Sequence, residues 1–200
     1  MARASFIAIA SLLVLQATQG QDLRPERSPI EMLTMLSYGT LLQDFSQVIA
    51  HVNPAAEIQL LSYGHAKIIA FSIHEMKDKG TAELIIAILD ISRKNTPVST
   101  RQLRIPLSTF ESLKKLWSEE LRRTAYHDAP PSTITTRDAL FYHLAIQTDC
   151  QSYAGYFTSS VHPTAFTTRI ITIVDAMTEL AETPHLTPEA ENKLIARLAN

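Results

Sequence analysis

KIIAFSIHEMKDKGTAELIIAILDISRKNTPVSTRQLRI, from Lys67 to Ile105, is the stretch whose reading decides the fold class. Ile69, Phe71 and Ile73 alternate with Ala70, Ser72 and His74, the period of two expected of a half-buried strand. Lys77-Asp78-Lys79-Gly80 is a turn by composition. Leu84 to Ile91 (LIIAILDI) is apolar on both faces until Asp90, which predicts the most central strand of the set. Arg93 to Pro97 turns again. Val98 to Ile105 then alternates, with Leu103 and Ile105 inward and Arg101 on their face near the open end. Links this short join antiparallel neighbours, because a parallel crossover needs about a dozen residues or more.

Outward from this meander, Ile58 to Ser62 reads as a further short strand with a turn at Tyr63-Gly64-His65. Before it, Ser28-Pro29-Ile30-Glu31 has the form of a helix start. An apolar stripe follows through Leu33, Leu41, Phe45, Val48, Ile49 and Val52, with Gly39 as its break point and Asn53-Pro54 as its end. After Pro106, Phe110, Leu113, Leu116, Trp117 and Leu121 recur at helical spacing, which predicts a helix lying across the sheet. Leu140 to Gln147 and Tyr153 to Thr158 form a second hairpin pattern. Pro163 opens a helix with a stripe of Phe166, Ile170, Ile173, Val174, Met177 and Leu180, set against a β-branched run that favours extended backbone. Thr187-Pro188 caps a last helix carrying Leu194, Ile195 and Leu198. Strands grouped in hairpins, with helices between the groups, predict an α+β fold. The expected architecture is an antiparallel sheet of five to six strands, a meander plus a hairpin, packed against three to four helices.

The first 20 residues read differently. Arg3 precedes the uncharged apolar run Phe6 to Leu15, and Thr18 and Gly20 stand at the −3 and −1 positions of a cleavage site, the layout of a secretory signal peptide. The run is about half the length needed to span a bilayer. The expectation is a leader over residues 1–20 and a single domain over 21–200, exported to the periplasm or the medium, with no membrane span once the leader is removed. The leader holds Arg3 and no acidic residue, so the remaining chain has a formal charge of −3 against −2 for the whole. That mild acidity disfavours nucleic acid as a partner, since neutralising phosphates takes a concentrated basic surface. One cysteine permits no internal disulfide, and packing must hold the fold.

GxGxxG, P-loop, HExxH, GxSxG and CxxC motifs are all missing from the sequence, which removes support for nucleotide, zinc-protease, α/β-hydrolase and thioredoxin readings. Seven histidines are scattered without ligand spacing, so neither a metal nor an organic cofactor is expected. Cys150 could act as a nucleophile only if His143 or His162 met it in space, with Asp149 or Asp128 as orienter. Cys150 sits in a hairpin turn, where an incidental residue is the commoner reading. Two surfaces suit binding instead. Arg93, Lys94, Arg101 and Arg104 gather around one hairpin and suit an acidic partner, although charges on a strand edge also guard against aggregation. Tyr153, Tyr156 and His162 belong to an aromatic and polar approach to the third helix, where alternation alone would bury half of the aromatics. The expected function is therefore a non-catalytic binding or inhibitor-type module for a protein or envelope component. A small Cys/His-dependent hydrolase or transferase centred on Cys150 is the alternative.

Overall fold

The computed structural model describes residues 24–25, 41–64, 66–77, 80–93, 95–122, 140–147, 152–158, 164–183 and 185–199. Six full strands form one antiparallel sheet: β2 (Ile58–Gly64), β3 (Lys67–Met76), β4 (Thr81–Asp90), β5 (Ser99–Pro106), β6 (Phe141–Gln147) and β7 (Ser152–Thr158). A two-residue strand, β1 (Arg24–Pro25), joins the outer side of β7, and the spatial order is β1-β7-β6-β2-β3-β4-β5. The described residues hold four helices: α1 (Leu41–Ile49), α2 (Leu107–Arg122), α3 (Ala165–Glu182) and α4 (Pro188–Ala199). This is the α+β arrangement that the alternating pattern predicts.

Hairpin registers follow from the short turns. Met76 opposes Thr81, so His74 opposes Glu83 and Phe71 opposes Ile86; across the next turn Glu83 opposes Arg104. Gly80 takes φ +60° in the first of these turns, a backbone conformation that costs an L-residue its Cβ clearance. Leu107 begins α2 directly after β5, and α2 carries the chain back across the sheet. The β6–β7 hairpin therefore attaches to β2 and not to β5. One expectation is corrected by this order: β4 is next to the edge, with β2, β3 and β6 nearer the centre. Its apolar residues on both faces are explained by coverage. Ile86 and Ile88 lie under the helices of one face, while Ala87 and Leu89 belong to a second cluster under α1.

Alternation sorts the side chains onto two unequal faces. The larger core unites Ile58, Leu60, Phe71, Ile73, Leu84, Ile86, Tyr142, Leu144 and Ile146 of the sheet with the stripes of α2, α3 and α4. Trp117 is fully buried there, with its indole N–H donating to the Gln59 carbonyl at 3.3 Å. The stripe Phe166, Ile170, Ile173, Val174, Met177 and Leu180 is buried as the spacing predicts. Helix formation over the β-branched run is aided by a capping box, in which Thr164 and Thr167 exchange side-chain and backbone bonds at 3.2 and 2.8 Å. On the other face α1 lays Phe45 and Val48 over Tyr63, Ile68, Ala70, Ala87 and Leu89. The earlier half of the stripe before Leu41 and the expected leader lie outside the described residues.

Candidate functional site

β5 closes the sheet order, and no strand pairs with its outer side among the described residues. Ser99, Thr100, Gln102, Arg104 and Pro106 are exposed along it. The three described arginines of the basic hairpin separate into two kinds. Arg93, in the β4–β5 turn, has a side chain 80% exposed and lies 3.6 Å from the Asp90 carboxylate. The Ser92 hydroxyl donates to Asp90 at 2.5 Å and holds that carboxyl below its usual range, with Arg93 and Lys67 adding to the effect. Arg104 is exposed on the α1 face and has no ion pair among the described residues.

Arg101 is of the other kind. Parity places it with Leu103 and Ile105 on the helix-covered face, and its guanidinium donates to the carbonyls of Leu180 and Thr183, the latter at 2.9 Å. A further donor meets the Glu191 carboxylate at 2.5 Å. These bonds satisfy carbonyls at the C-terminus of α3, where a cation also complements the helix dipole. Arg101 thus fastens α3 and α4 to β5, and only Arg93 and Arg104 of the three face outward. Lys94 lies outside the described residues.

A polar chain that sequence reading missed crosses the α1 face beside this edge. Asn53, in the turn after α1, donates its backbone N–H to Ser72 Oγ at 3.0 Å. Its Oδ1 accepts from the Ala55 N–H at 2.9 Å, which turns its Nδ2 toward His74 Nδ1 at 3.4 Å. An amide nitrogen only donates, so this contact asks Nδ1 to accept, and Nε2 is the ring nitrogen 3.4 Å from Glu83 Oε2. The other Glu83 oxygen accepts from Gln102 Nε2 on β5. Both imidazole nitrogens of the partly exposed His74 thus have a polar neighbour, and Ser72 is fully buried. The His74–Glu83 pairing was available in the sequence through the hairpin register; the Asn53 link, 21 residues away, had no local signal.

The remaining candidates are dispersed. His143 is 8% exposed on the α1 face of β6, stacked between Tyr63 at 6.3 Å and Tyr156 at 5.8 Å between ring centroids. Tyr63 in turn stacks on Phe141 at 4.6 Å and meets the edge of Phe45 of α1, so an aromatic row runs from α1 to β7. Tyr156 is part of that row. Tyr153 packs against the larger core on the opposite face, so the two tyrosines do not share a surface. Cys150, His162, Asp149 and Asp128 lie outside the described residues.

Among the described residues no three His, Cys, Asp or Glu side chains converge on a common point, and no helix is long and apolar enough to cross a membrane. A shallow cleft of about 210 Å³ lies between α2, α3 and the end of α4, lined by Lys115, Leu116, Glu119, Arg169 and Leu198. Its arginine is turned to the helix end, donating to the carbonyls of Arg197 and Leu198 at 3.0 and 2.7 Å. Fold and surface together define an α+β protein with one antiparallel sheet, which among the described residues ends on the eight-residue strand β5 at one side and on the two-residue β1 at the other. No family model, curated relative or solved structure matches the chain.

Proposed function

We propose that this chain is an exported, non-catalytic binding module that meets its partner at the β5 edge. The observation that carries this reading is the open eight-residue strand itself. Its outer side, which no described strand pairs, offers a template for another extended chain, a known mode of recognition in which main-chain bonds give affinity and side chains give selectivity. Export rests on the leader pattern of residues 1–20. The partner is a protein or envelope component. The inhibitor-type reading is the special case in which that partner is an enzyme.

Retrieval tests it. The chain from Gln21 onward, immobilised, is offered envelope and medium fractions of its host, and β5 amide exchange is followed with and without the captured partner. Slowed exchange in β5 supports the reading. A captured partner that leaves β5 exchange unchanged, or the failure of both fractions to yield one, refutes it.

A further inference from the structure

We infer that β5 receives an extended acidic segment of a partner protein as an added strand, with apolar residues alternating with its acids. The inference rests on the edge-binding reading above and specifies its partner. Charge is the first argument. From Ile91 to Phe110 the sequence carries Arg93, Lys94, Arg101 and Arg104 and not one Asp or Glu, in a chain whose total is −2. The structure then removes Arg101 from this surface by binding it to α3 and α4, and leaves Arg93 and Arg104 pointing outward. The acid opposite Arg104 in the register is Glu83, whose two oxygens are met by Gln102 and His74. Arg104 is thus left without an ion pair among the described residues, whereas Arg93 lies 3.6 Å from Asp90 and a partner's carboxylate would share it.

Geometry is the second argument. An eight-residue strand extends about 27 Å, room for six to eight residues of partner. Side chains of an added strand would alternate between the face of Gln102 and Arg104, where a carboxylate is complementary, and the face of Leu103 and Ile105. On that second face Leu103 is only partly buried against the core, so an apolar side chain extends the existing contact. A second copy of this chain would bring the same basic rim against itself, which opposes self-pairing.

The test uses the protein as its host produces it and two labelled peptides, TEVDVES and its basic counterpart TKVKVKS. The acidic peptide is expected to bind at least about tenfold more tightly, and to weaken as salt rises from about 0.05 to 0.5 M. Arg93→Glu with Arg104→Glu should reverse the preference, since both side chains are exposed and their loss leaves the core intact. Amide exchange should slow in β5 on binding. Equal affinity for the two peptides, unchanged binding by the double variant, or concentration-dependent dimerisation through β5 in sedimentation each overturns the inference. Capture of a host partner at β5 that the double variant leaves unaltered would keep the binding module and discard its acidic ligand.

Discussion

Replacing Arg101 by Met keeps the aliphatic stem and removes the guanidinium, leaving the Leu180 and Thr183 carbonyls and the Glu191 carboxylate without their donor. Two net bonds to carbonyls contribute about 1 kcal/mol each. The Glu191 pair, with both side chains partly exposed, adds about 0.5 kcal/mol. The expected loss is therefore about 2–3 kcal/mol. The single Trp, Trp117, is buried and reports unfolding by fluorescence. With a urea slope of about 1–3 kcal/mol/M, the midpoint should fall by roughly 1 M. Arg101→Lys should recover less than half, because an ammonium cannot span three acceptors as the planar fork does. Glu191→Gln should lose only about 0.5 kcal/mol. A midpoint for Arg101→Met within about 0.2 M of the parent would refute the reasoning and show water already satisfying those carbonyls. Equal losses in Arg101→Met and Glu191→Gln would place the energy in the ion pair. Capture of the acidic peptide should survive Arg101→Met, since this arginine faces the helices.

Further outcomes follow from particular contacts. Burial, with a smaller contribution from the Asp175 carboxylate, pushes the Tyr142 phenol up from 10.0 to about 12. The folded chain therefore keeps this proton through a window in which the unfolded chain has lost it; stability is full below pH 10 and declines as pH rises toward 12. Tyr142→Phe should flatten the fall in unfolding free energy, measured by urea titration, by up to about 1.4 kcal/mol per pH unit in that window, and an unchanged slope would contradict the assignment. For His74, long-range nitrogen–proton NMR at neutral pH should find the neutral ring protonated at Nε2. A proton on Nδ1 would contradict the orientation of Asn53. At Gly64, a Cβ would overlap Leu140 Cδ2, so Gly64→Ala should destabilise by about 1–3 kcal/mol, with partial recovery in the double variant with Leu140→Ala. Thermal denaturation measures both, and a neutral single variant would show that Leu140 has another rotamer open to it.

The elements that local periodicity specifies were legible from sequence. Ile69, Phe71 and Ile73 lie on one face of β3, and the α3 stripe is buried residue for residue, because burial selects one parity in a strand and one stripe in a helix. Sheet order was not legible. Placing β6 against β2 depends on α2 crossing the sheet, a long-range packing outcome with no signature at Leu140 or Ile58. For the same reason LIIAILDI suggested a central strand: apolar residues on both faces report coverage, and α1 supplies that coverage near the edge. At the candidate site, the inward direction of Arg101 followed from its parity with Leu103, but its acceptors stand 79 to 90 residues later in the chain. Tyr153 and Tyr156, three residues apart in a strand, had to fall on opposite faces. Grouping them by composition overlooked that constraint.

The two sides of β5 are fixed by different means, and this bears on the affinity it can offer. On one face Ile105 is buried and Arg101 binds two helices; on the other Gln102 is joined through Glu83 and His74 to Asn53 at the end of α1. α2 begins without an intervening loop, so the strand's C-terminal end is held as well. An edge held this way is ordered before a partner arrives, and the ordering entropy falls on the incoming segment alone, at about 1–2 kcal/mol for each residue fixed. Over six to eight such residues this cost equals or exceeds what the new main-chain bonds contribute, at about 1 kcal/mol each. Charge at Arg93 and Arg104 then decides between partners more than it deepens binding. On the proposed reading the complex with a lone peptide is therefore weak and rapidly exchanging. A tight complex requires either a partner whose acidic strand is already extended within its own fold or a second contact beyond β5.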